Sequence, residues 1–63
     1  MLDLNEAKRL ASELKDELER LEREAVEAGE PSDMVYNFTF AVKRVDNILD
    51  NDLGAIERAG RGH

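Results

Sequence analysis

A short break, AGEPS at residues 28 to 32, constrains this chain more than any other feature. Gly29 suits the end of a helix, Pro31 is the single proline and cannot continue one, and Ser32 and Asp33 offer caps for a new helix. Before it, no Gly or Pro interrupts the chain from Asp3 up to Gly29. The break therefore divides the chain into two segments, and the apolar spacing within each decides what it can form.

The first segment reads as one long helix. Asp3 is placed to cap it, and Glu6, three residues on, completes a capping-box pattern. Leu4, Ala7, Ala11, Leu14, Leu18, Leu21, Ala25 and Ala28 fall at alternating steps of three and four, the heptad seam of a coiled coil, and Leu10 widens the stripe. The remaining positions are charged. Acid-to-base pairs such as Asp16 with Arg20 and Glu19 with Arg23 add little at a solvated surface, so this charge run is a wet face and not a site.

The second segment has two periods. Tyr36, Phe38 and Phe40 alternate with polar residues as a strand would, while Val35, Phe38, Val42, Val45 and Leu49 recur at helical spacing. A lone strand would need strands from other copies to satisfy its backbone, an arrangement the sequence leaves open for residues 34 to 42. As a helix, the segment puts Met34, Val35, Phe38, Ala41, Val42, Val45, Ile48, Leu49, Leu53 and Ile56 on one face, interrupted by Asp52. Asp and Asn at positions 50 to 52 favour turns, so a break of the helix within residues 50 to 54 is also left open.

The expected fold is all-α: an antiparallel helical hairpin, about 3–28 and 33–50 and extending as far as 58, that self-associates into a helical bundle. Residues 1–58 would be a single domain and 59–63 a flexible tail. Small Ala25 and Ala28 would lie opposite Met34, Val35 and Phe38, and Leu14 and Leu18 would meet Val42, Val45 and Leu49. At the open end Leu4 would reach Ile56, and Ala7 would meet Leu53 and Gly54.

Size argues for the self-association. A chain of 63 residues buries only about 60% of its unfolded surface. With no Cys and one His, at position 63, neither a disulfide nor a His/Cys metal site adds to the core. Fifteen acidic and nine basic residues give a net charge of -6, which disfavours direct nucleic-acid binding and anionic membranes. No apolar run approaches the roughly 20 residues of a membrane helix, and no signal peptide follows Met1, so the expected setting is cytoplasmic.

On the helical reading Tyr36 and Phe40 leave the core and stack four residues apart, with Lys43 and Asn47 continuing the ridge and Asp33 and Asn51 beside it. Tyr36, Phe40, Lys43, Arg44 and Asn47 are the candidate interface or ligand positions, either for self-association or as a stacking platform on which Lys43 and Arg44 would contact charge. Other motifs dissolve. Aligning Gly54 of DNDLG with a calcium loop puts Leu49 and Leu53 at ligand positions. The NFT sequon at Asn37 matters only on secretion. His63 has no carboxylate neighbour in sequence, and Ser12, Ser32, Thr39 and Tyr36 have no base placed to activate them. No enzyme, cofactor or metal site is expected.

From Ala41 to Arg58 the chain reads AVKRVDNILDNDLGAIER. The pattern of Ala41, Val42, Arg44, Val45, Asp46, Leu49, Gly54, Ala55, Ile56 and Arg58 resembles the second helix of the hairpin in phage proteins that sequester cyclic-oligonucleotide signals in anti-CBASS counter-defence. Asn51 stands where that family usually has an aromatic. The resemblance implies an oligomer with cyclic-nucleotide pockets between protomers and no catalysis; it assigns no binding residue here. The expected function is a non-enzymatic homo-oligomeric bundle that binds or blocks a partner protein. One alternative is a phage-type sponge. Another is an acidic nucleic-acid mimic, although the stretch to Glu30 mixes five bases with its ten acids.

Overall fold

The structure, a computed structural model, describes residues 3–61. It is all-α: a long helix α1 (Asn5–Glu27) and a bent second arm made of α2 (Ser32–Asn47), a π turn (Ile48–Asp52) and α3 (Leu53–Arg61), with no strand among the described residues. The helical period has won in the second segment. Val45 is buried, Val35, Phe38, Val42 and Leu49 are half-buried, and Tyr36 and Phe40 are exposed. Burial therefore follows steps of three and four, which satisfies the backbone within the segment where a lone strand would leave it unpaired.

The break at residue 28 works through its glycine. Gly29 has φ +72°, in the left-handed region, and is flanked by two reverse hydrogen bonds: Glu30 N–H donates to the Ala25 carbonyl at 3.0 Å and Gly29 N–H to that of Val26 at 3.1 Å. This pattern is a Schellman motif, which satisfies the last carbonyls of α1. Pro31, not Ser32 or Asp33, occupies the N-cap position of α2, and its carbonyl accepts the N–H groups of Met34 and Val35. The proline ring fixes the extended entry, so no side-chain cap is needed.

The start of α1 also differs from expectation. Leu4 holds the N-cap position, and Asp3 accepts the Asn5 N–H at 2.9 Å. Glu6 does not complete a capping box, because its carboxylate forms an ion pair with Arg9. The expected surface pairs are likewise replaced. The Arg20 guanidinium is gripped by Glu17 and Glu24, whose longer side chains reach its fork, and Glu19 approaches Lys15 at 3.9 Å.

A π turn replaces the break left open near residues 50 to 54. At regular heptad spacing, Asp52 would follow Val45 by seven positions and enter the seam. The π turn, closed by a hydrogen bond from Leu53 N–H to the Ile48 carbonyl, holds one extra residue, so Asp52 is exposed and Leu53 is buried. It also explains the bend.

The two arms touch through links that run in opposite order along the chain. Glu22 accepts the Thr39 hydroxyl at 2.6 Å, Lys15 pairs with Asp46 at 2.6 Å, and Lys8 pairs with Glu57. Among the described residues only Ala25, Val45 and Leu53 are buried. The whole measures 51 × 17 × 9 Å, one layer of helices thick. Its radius of gyration is 14.9 Å, against about 11 Å for a compact chain of this length. At the far end Ile56 and Ala7 are exposed, while Leu4 is half-buried and Leu53 buried. The space above Gly54 is taken by Arg58 of its own helix, not by α1.

Candidate interaction surface

The α2 backbone sets Tyr36, Phe40, Lys43 and Asn47 on one ridge, because steps of four, three and four residues return to the same side of a helix. Val35, Phe38, Val42 and Val45 turn inward, which forces that ridge to the outside. Tyr36 and Phe40 are 63% and 51% exposed. Their rings lie 6.5 Å apart at 28°, an offset stack within the range of favourable aromatic pairs.

Lys43 and Arg44 are exposed and make no ion pair among the described residues. Asn47 is engaged locally, accepting a hydrogen bond from Asn51 at 2.5 Å across the π turn. The structure thus brings Tyr36, Phe40 and Lys43 together as an aromatic and cationic strip. Arg44 falls to one side of it. An open depression lined by Val26, Glu30, Ser32, Val35, Tyr36 and Thr39 borders the strip near the turn.

Some charges elsewhere are occupied, although Arg23 and Arg58 also make no ion pair among the described residues. Arg9 is held by Glu6 and Glu13, and Arg20 by Glu17 and Glu24. Hydrogen bonding from Lys8 keeps the Glu57 carboxyl below its usual range, the Arg20 hydrogen bond does the same for Glu17, and the Asp46 hydrogen bond raises the Lys15 ammonium above its usual value. All three groups are solvent-screened, so these shifts describe ion pairs and not an activated acid or base. His63 lies outside the described residues.

Two features escaped the sequence reading. One is the polar ladder between the arms, formed by Lys8, Lys15 and Glu22 against Glu57, Asp46 and Thr39. Its signal was present: positions 8, 15 and 22 repeat every seven residues, as do 39 and 46, and all flank the seam. The other is that the apolar stripe is wider than one partner helix covers, leaving Leu10, Leu14, Met34, Ile48 and Ile56 exposed. No protein-family model, curated protein or solved structure matches the chain.

Proposed function

We propose that this protein is a non-enzymatic interaction module, an antiparallel helical hairpin that self-associates into a bundle and binds or blocks a partner protein. The observation that carries the binding role is the exposed Tyr36–Phe40 stack beside unpaired Lys43. Aromatic anchors of this kind are enriched where protein surfaces meet, since they offer large contact area at low entropic cost. The hairpin form is supported by the reversed order of the three cross-arm links, and self-association by a seam with only three buried residues. The acidic-mimic alternative is weakened by the Arg9 and Arg20 clamps, which engage four of the carboxylates such a surface would present and offset two of their charges.

Native mass spectrometry of gently purified protein, wild type beside a Tyr36→Ala, Phe40→Ala double variant, tests this reading. The wild type is expected to retain a protein partner that the variant loses while its circular dichroism is unchanged. Retention of that partner by the variant would remove the ridge from the argument. An added mass of nucleotide size in place of a protein would put the sponge alternative first.

A further inference from the structure

The two broad faces of the layer are unlike. Lys8, Lys15, Glu22, Thr39, Asp46 and Glu57 cross-link the arms along one of them. At 100° per residue, Leu10 and Leu14 lie on the other side of the α1 seam from those cross-linkers, and Met34 and Ile48 on the other side of the α2 seam. Because the arms run oppositely, both sets emerge on the same broad face. Ile56 continues it on α3. The five are between 40% and 52% exposed, so this face is a second apolar stripe with nothing against it.

We propose that a second copy of this chain covers that face, making a two-fold four-helix bundle that leaves the Tyr36–Phe40 ridge outside. The inference rests on the self-association proposed above and names the surface responsible for it. The chain exposes 4888 Å², some 800 Å² beyond the surface of a compact monomer of its mass, and about 800 Å² is what each partner contributes to a standard interface. The face also has complementary charge at its rims. Its rim on α1 carries Glu17 and Glu24, which share the single charge of Arg20, and Glu6, which shares Arg9 with Glu13, so it keeps a surplus of negative charge; its rim on α2 carries Arg44, which makes no ion pair among the described residues. A two-fold axis parallel to the helices sets α1 of each copy on α2 of the other, bringing Arg44 toward the acidic rim opposite. Every helix then has two antiparallel neighbours, one held by the polar ladder and one by the apolar face.

Sedimentation across a concentration series tests this with three proteins: the wild type, Leu14→Glu with Ile48→Glu, and Tyr36→Ala with Phe40→Ala. The expected result is a wild-type dimer, a loss on the order of a hundredfold or more in dimer affinity for the glutamate variant, and no change for the alanine variant. A dimer broken by the alanine variant but not by the glutamates, or a stoichiometry other than two, overturns the assignment of this face while leaving self-association standing. A wild type that stays monomeric at every concentration overturns self-association itself. If the glutamate variant loses helicity as well, thiol labelling decides, since the chain has no native Cys. Alkylation of an Ile48→Cys variant slows as its concentration rises and that of Phe40→Cys does not; an equal response at both positions rejects the proposal.

Discussion

The two arms differ in how they treat their outer surfaces. On α1 the outward residues are charged, and many satisfy one another within a turn, as Arg9 does with Glu6 and Glu13 and Arg20 with Glu17 and Glu24. On α2 the outward residues include two stacked rings and two cations that make no ion pair among the described residues. The inner surfaces differ too: α1 contributes one buried residue, Ala25, and the second arm contributes Val45 and Leu53. The first arm is a self-contained support. The second supplies most of the buried seam and the groups left available for contact, so substitutions of equal size should have unequal effects on the two arms.

The largest effect expected is on the inner side of the second arm. Val45→Asp puts an unpaired charge in the only seam available and should abolish most of the far-ultraviolet helix signal at 25 °C. A variant with full signal and unchanged melting would move the core elsewhere. Next comes the joint between the arms, where Gly29→Ala forces a left-handed conformation on a residue with Cβ and should lower stability by about 1–2 kcal/mol in a denaturant melt. The space there is open, so no clash obscures the backbone cost.

Outer substitutions should split by arm. Tyr36→Ala with Phe40→Ala should reduce stability by about 1 kcal/mol or less, through loss of one stacked pair, yet remove partner binding. Arg20→Ala on α1 should change melting least, with no effect on binding, and the small difference should vanish at high salt. A binding defect in the Arg20 variant would erase the distinction between the arms. Acid sharpens it at the far end. The Lys8 hydrogen bond lowers the Glu57 carboxyl, so its contribution is complete above the unfolded value, about 4.3, and is lost as pH falls through the lower folded one. Wild-type melting should therefore fall more steeply between neutral and acid pH than that of Glu57→Gln.

Much of this architecture is legible in the residues. The heptad steps of α1, the Gly29 and Pro31 break and the inward face of α2 follow from spacing and backbone preference, which are local properties. The exposure of Tyr36 and Phe40 follows from the same period once the helix is chosen. What spacing does not reveal is competition among side chains. Glu6 had both a cap and Arg9 within reach, and the guanidinium took it; Arg20 had several carboxylates within reach and closed on the two glutamates. Nor does a one-dimensional stripe show its own width. Leu14 and Leu18 belong to the same seam in sequence, yet only Leu18 lies far enough toward the second arm to be half-buried.

The π turn has a consequence for how the chain tolerates changes in length. Val45 and Leu53 are eight positions apart and both are buried, although a continuous helix would bring the seam round after seven. One residue between them is thus supernumerary, and Asp52, exposed and without an ion pair among the described residues, is the natural one to remove. Deleting it should give an unbroken helix with Leu53 still in phase with Val45 and Glu57 still facing Lys8. Deleting a residue on either side, at Val42 or Ala55, instead throws part of the arm out of phase by about 100°.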